Sequence, residues 1–165
     1  MSATLEEGAG DLDAQAFAAA RDDLAASFSF GADRDSLSVS ARFLSENRDE
    51  ALALLRQALV DPSFDQSAID RVRGQVMSNL RSELTDPNSI ASLKFSDLAY
   101  GDHPYATDQD GTLESVAALS REDILGAHQS AIARDRVFVG ASGDISADEL
   151  GLPAHLLDPR STRMS

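Results

Sequence analysis

The chain contains no cysteine, no tryptophan and only three histidines among its 165 residues. Disulfides and thiolate metal sites are therefore excluded. A zinc site would have to lean on carboxylates, because His103, His128 and His155 are widely separated along the chain. The lack of cysteine says little about compartment. Basic residues are scarce as well, with 14 Lys and Arg against 28 Asp and Glu and a net charge of −14. Such a balance disfavours nucleic acid or an anionic membrane surface as the main ligand, and solubility is its plainer meaning. No apolar run approaches the roughly 20 residues needed to cross a bilayer. The opening "MSATLEEGAGDLDA" has neither the basic start nor the apolar segment of a signal peptide.

What is present suffices for a folded core. The hydrophobic content is 42 % and the length suits one domain. From Leu12 to Ala26, Phe17, Ala20, Arg21 and Leu24 recur at helical spacing, and the many alanines predict close packing against a sheet. "SFSFGA" and "DSLSVSARFL" then alternate. Phe28 and Phe30 fall on one side, Leu37, Val39, Ala41 and Phe43 likewise, and Ser36, Ser38, Ser40 and Arg42 opposite, which predicts a hairpin turning at "GADRD" with one wet and one buried face.

A second helix is expected from about Asn47 to Leu59, opened by Asn47 and Glu50 at capping-box spacing and burying Leu52, Leu55, Ala58 and Leu59. After "DPSFD", a third should begin near Asp65 and turn Ile69, Val72, Val76, Leu80 and Leu84 inward until the proline of "TDP" ends it. Asn79 falls in register with Val72 and Val76, a polar residue on an apolar face. A fourth helix is expected over about Ser89 to Ala99, then the long polar loop "YGDHPYATDQDGT". Ser120 and Asp123 cap a helix running to about Ala133, Val137 to Ala141 reads as a buried strand, and Ser146 to Glu149 as a further helix start. The expected class is α+β, with helices packed on one face of a mainly antiparallel sheet. The strands are fewer than the roughly four to six usual in a sheet, so an incomplete domain is expected over residues 5–150. The tail "LGLPAHLLDPRSTRMS" reads as an added or frame-altered end over 151–165, and open sheet edges predict marginal stability or self-association.

The run from "EEGAGDLDAQAFAAARDDL" through "AIDRVRGQV", followed by "YGDHPY", "TLESVAALSREDILGAH" and "VFVGASGDIS", resembles the pitrilysin/insulinase family of zinc peptidases, which includes the mitochondrial processing peptidase. The similarity covers roughly Leu5 to Leu150, carried by the order and spacing of these pieces rather than by one motif. Active members of that family hold zinc through the histidines of an H-x-x-E-H helix and through a glutamate on a later helix. The resemblance places the first motif just ahead of "LEEGAG", outside this chain. It aligns two family glutamates, seven residues apart, with Val72 and Asn79. Neither is a carboxylate.

The resemblance thus implies a degenerate, truncated relative: the non-catalytic, chamber-closing half of a zinc metallopeptidase. Its partners would be an active H-x-x-E-H subunit or domain and the peptide shared with it, with no nucleic acid and no membrane. No catalytic, cofactor-binding or metal-ligating residue is assigned, and zinc would reside in the active partner. The alternatives are a fragment of an active zinc metalloendopeptidase that lacks its H-x-x-E-H segment, and an acidic protein-interaction module. Bacterial relatives are often exported, which leaves the compartment of this chain open.

Other residues could carry chemistry. Asn79 could be a hydrogen-bonded interior amide or an inherited site position. His103 could join Asp102 or Asp108 at a metal, or simply pack its loop. His128 reads as structural, Glu6 and Glu7 as flanking a turn, and Arg71, Arg73 and Arg81 as surface partners of Asp70 and Glu83.

Overall fold

Two glycines decide how the chain begins. Gly8 and Gly10 both have positive φ, +124° and +54°, so the chain folds back within a few residues. Strand β1 (Gly8–Ala9) pairs antiparallel with β2 (Leu12–Asp13), and Ala9 also bridges Pro62. These contacts belong to a computed structural model that describes residues 2–132 and 137–146. A Cβ on Gly8 would lie 2.7 Å from the Leu12 carbonyl oxygen and 2.8 Å from Ser63 Oγ. Both the dihedral and the space are closed to alanine. Gly8→Ala is expected to cost about 2 to 3 kcal/mol, read as a lower urea midpoint at unchanged slope.

Helix α1 (Ala14–Asp23) starts where Asp13 accepts a bond from Ala16 N–H at 2.8 Å. It is shorter than the periodicity predicts at both ends. Leu12 belongs to β2, and Ala25 turns to φ +49° ahead of the next strand. Strands β3 (Ser27–Ala32) and β4 (Leu37–Arg42) form the expected hairpin, with Phe28 opposite Ala41 and Phe30 opposite Val39. Its turn is built by Asp33, whose carboxylate accepts from Asp35 N–H, Ser36 N–H and the Ser36 hydroxyl. The backbone bond from Asp35 is the main reason this carboxyl lies below its ordinary pKa, the Ser36 bonds adding to it. The buried face is narrower than expected. Phe28 and Phe30 are in the core, whereas Val39 and Ala41 are exposed and Leu37 and Phe43 half-buried, because β4 has no further neighbour among the described strands.

Helix α2 (Arg48–Val60) buries Ala51, Leu54, Leu55, Ala58 and Leu59, with Leu52 only half-buried. Asn47 does not close a capping box here. Its amide Nδ2 donates to the Leu24 carbonyl at 2.9 Å, tying the entry of α2 to the exit of α1. Helix α3 (Gln66–Glu83) buries Ala68, Ile69 and Leu80, while Val72 and Val76 are half-buried and Leu84 is exposed. Helix α4 (Pro87–Tyr100) starts on the Asp86 cap, which accepts from Ser89 N–H at 2.8 Å, and has no buried residue, leaving Leu98 75 % and Phe95 69 % exposed.

The polar loop that follows ends on the cap of an unforeseen helix, α5 (Leu113–Ala118), where Thr112 and Ser115 cap each other reciprocally. Its signal was a serine at the N3 position in place of the usual Glu or Gln. Helix α6 (Arg121–Ala131) opens as expected on Ser120 and Asp123. The Ser120 N–H and hydroxyl hold the Asp123 carboxyl below its ordinary pKa.

The core gathers around Phe17, Phe64 and Leu5, each fully buried. Phe17 meets Phe28 at 6.3 Å between ring centres, and Phe64 meets the ring of His128 edge-on at 5.5 Å. The class is α+β, and among the described residues the strand pairing is antiparallel, in two separate two-stranded sheets rather than one. Val137 to Ala141 is not a strand: it runs irregular and exposed, with Phe138 98 % accessible. A strand exists only where a second strand takes its backbone bonds, and none of the described strands does so. Most of the expected helix start at Ser146 to Glu149, and the whole tail, lie outside the described residues. Among the described residues no helix is long and apolar enough to cross a membrane.

Candidate functional site

Val72 and Asn79 sit on α3 as the sequence places them, two turns apart, but they do not share an inward face. Val72 is half-buried, and Asn79 is exposed, its Oδ1 accepting from Gln75 Nε2 at 3.0 Å. The expectation of an interior amide is overturned. Leu80, one position on and about 100° round the helix, is buried as the periodicity predicts. What α3 offers solvent at this point is an uncharged amide pair.

The arginines distribute differently from their sequence neighbours. Arg71 pairs with Glu7 across 64 residues rather than with Asp70, anchoring the N-terminal turn to α3. Arg73 joins Asp70 at 2.7 Å and the Leu119 carbonyl at 2.7 Å, tying α3 to the entry of α6. Glu6 lies 4.0 Å from Arg21. Both glutamates flank the Gly8–Gly10 turn, as their sequence reading expected, and each also meets an arginine, which it did not foresee.

His103 and the loop carboxylates are not brought together. His103 Nδ1 accepts from Tyr105 N–H at 3.2 Å, capping a short 3-10 turn at Pro104–Ala106, and its ring stands edge-on to Tyr105 at 4.8 Å. Asp108 instead approaches Glu83 and Asp110, the three offering carboxylate oxygens within 4.8 Å of one another. Three oxygens suit a hard cation better than zinc. Sequence inspection missed this grouping because Glu83 belongs to α3 and the aspartates to a distant loop.

A cleft of about 250 Å³ opens between the β3–β4 turn and this loop, lined by Asp33, Arg34, Pro104, Tyr105, Thr107, Asp108 and Gln109. Its groups are largely engaged with each other. The Tyr105 hydroxyl donates to Asp35, the main reason its pKa is raised, and the Arg34 guanidinium lies 5.4 Å from the Tyr105 ring centre while donating to the Thr107 carbonyl at 3.1 Å. Gln109 Nε2 reaches the Ala32 carbonyl at 2.8 Å. The cleft is a clamp that holds the long loop against the hairpin.

His128 is the buried polar side chain of α6. Its Nε2 lies 2.9 Å from the Leu59 carbonyl, so that nitrogen carries the proton and donates, and α6 is fastened to the end of α2. Its structural reading from sequence agrees with this position.

The residues at the two aligned α3 positions do not fit zinc. A valine has no donor atom, and an amide already bonded to Gln75 is a poor substitute for Cys, His or carboxylate. No H-x-x-E-H occurs in the 165 residues.

No family model matches the chain. It is 27 % identical over 145 residues to a Helicobacter pylori protein named a non-peptidase homolog, covering 88 % of this chain and 34 % of that protein. It is 27 % identical over 100 residues to a probable mitochondrial-processing peptidase subunit beta of Schizosaccharomyces pombe, covering 61 % and 22 % respectively. Among solved structures, a peptidase M16 inactive domain from Pseudomonas fluorescens superposes with a TM-score of 0.89 at 30 % identity over 94 % of this chain and 38 % of that one. The chain is a homologue of the pitrilysin/insulinase zinc peptidases. This homologue spans about a third of the length of the Helicobacter relative. Its helices and antiparallel strands superpose on those of that inactive domain.

Proposed function

We propose that this homologue is a non-catalytic, peptidase-like unit that closes a peptide chamber together with an active zinc-bearing subunit or domain. The observation that carries this is the chemistry of α3: Val72 and Asn79 supply no carboxylate, so the chain has nothing to offer as the third ligand. The unit extends over residues 5–150, with 151–165 outside it. None of its residues is assigned a catalytic or metal-binding role. The names of two relatives, a non-peptidase homolog and an inactive domain, support the same reading. In it, zinc, its activated water and peptide cleavage belong to the H-x-x-E-H partner, and this chain contributes wall and shape.

The test combines metal analysis with hydrolysis. Purified chain incubated with zinc and desalted is expected to retain well under one zinc per chain, and to leave a mixed peptide library intact. Adding an H-x-x-E-H subunit encoded beside it should give a complex in which cleavage exceeds that of the subunit alone. Chelator-sensitive hydrolysis by this chain without any partner would overturn the proposal.

A further inference from the structure

We propose that Asp110 is a site of spontaneous covalent modification, closing a cyclic imide on the Gly111 nitrogen and reopening as isoaspartate. Asp110–Gly111 is the one Asp-Gly pair in the 165 residues, and there is no Asn-Gly pair. It lies in mid-chain, and its geometry is settled by its own neighbours. Gly111 has φ +84°, and a Cβ on it would lie 2.9 Å from Ser115 Oγ, the atom that accepts from Thr112 N–H in the α5 cap. The cap thus demands glycine after Asp110. Glycine is also the residue that shields its own nitrogen least, since it has no Cβ to block an approaching carboxyl.

Hydrogen bonding decides which aspartate can react. Asp13, Asp33, Asp86 and Asp123 each accept from backbone N–H groups of their own turns or caps, which bind the carboxyl to a nitrogen other than the next one. Asp110 is exposed, and among the described residues no donor holds its carboxylate. Glu83 and Asp108 offer it only like charge, with oxygens within 4.8 Å. The Gly111 N–H is itself held loosely, by the Asp108 carbonyl at 3.3 Å.

The chemistry balances with water alone. The Gly111 nitrogen attacks Cγ of the protonated Asp110 carboxyl, gives up its proton to solvent and expels the hydroxyl as water, closing a five-membered imide. Water then opens the ring. Attack at Cγ restores aspartate, whereas attack at the main-chain carbonyl leaves isoaspartate, whose backbone runs through Cβ. Nothing is oxidised or reduced, and the product has the mass of the parent.

Isoaspartate adds a main-chain carbon between two fixed points. Gln109 Nε2 donates to the Ala32 carbonyl at 2.8 Å on one side, and Thr112 caps α5 on the other. The longer backbone cannot keep both in place, so conversion loosens the clamp between loop and hairpin.

The test keeps the full chain in warm neutral buffer made with heavy-oxygen water. Each ring opening writes a heavy oxygen into the carboxyl even where aspartate is restored; digestion and mass spectrometry locate it, and an isoaspartyl methylation assay measures the isomer. Label and isomer are expected to concentrate at Asp110 in the folded chain. Asp110→Glu keeps the charge and should lose both, because its longer side chain closes a ring far less readily. Label spread evenly over the aspartates, or reaching Asp110 only after unfolding in urea, would overturn the proposal. In hydrogen exchange, the Ser115 and Val116 amides, which donate to Thr112, should exchange roughly tenfold faster in the aged chain than in the fresh one. The aged Asp110→Glu chain should show no such change. An equal rise in both chains, or none in either, would refute the link to the clamp.

Discussion

Phe17→Ala is expected to remove about 3 to 5 kcal/mol of folding stability. Phe17 is fully buried on α1, an alanine-rich helix whose other core-facing positions, Ala20 and Leu24, are only half-buried. It therefore carries most of the apolar contact by which α1 adheres to the rest, including the tilted packing on Phe28 of β3. Truncation leaves a cavity that neighbouring alanines cannot fill, because none has atoms to extend into it. Domains are stable by only about 5 to 15 kcal/mol in total, so the variant should be substantially unfolded or melt far below the parent. Equilibrium urea denaturation followed by far-UV circular dichroism measures the difference. A loss below about 1 kcal/mol would show that α1 does not pack as described. Phe17→Leu keeps most of the volume and should retain more than half of the lost stability.

His128→Ala is expected to cost about 3 to 4 kcal/mol. The loss has two sources. Removing the ring strands the Leu59 carbonyl, which accepts from Nε2 at 2.9 Å in a buried setting, and a buried unsatisfied acceptor costs about 1 to 3 kcal/mol. It also removes the edge-on partner of Phe64. Phe64 is itself held at φ +45°, a conformation that bulky residues adopt only where surrounding contacts enforce it. Its carbonyl accepts from Arg121 Nε at 3.0 Å, so the α2–α3 connection is clasped to α6 by both residues. His128→Gln, which can still donate toward Leu59, should recover part of the loss, whereas His128→Leu should restore volume without the bond. Equal stability of the Leu and Gln variants would refute the assignment of the hydrogen bond.

Much of the architecture was legible in the sequence because it is local. The β3–β4 alternation, the cap at Ser120, and the end of α3 ahead of "TDP" each act over a few residues, where backbone sterics and single hydrogen bonds decide the outcome. The absence of carboxylates at positions 72 and 79 was equally readable, since it concerns residue type alone. The rotation of a helix is different. Periodicity turned Val72, Val76, Asn79 and Leu80 inward together, but how far each is buried depends on what lies across from it, and of these four Leu80 is the one fully covered.

The sequence by itself determined the α+β class, the family resemblance, the absence of carboxylates at positions 72 and 79, and a histidine on α6 with a structural role. Tertiary structure alone decided the rest: that Glu7 meets Arg71 and His128 meets Leu59, that Glu83 joins the loop aspartates, and that Val137 to Ala141 stands outside any sheet. The physical reason is range. A cap or turn is settled by its neighbours in the chain, whereas burial and long-range pairing are settled by surfaces that meet only after the chain has folded, and a strand has no ladder until another strand supplies one.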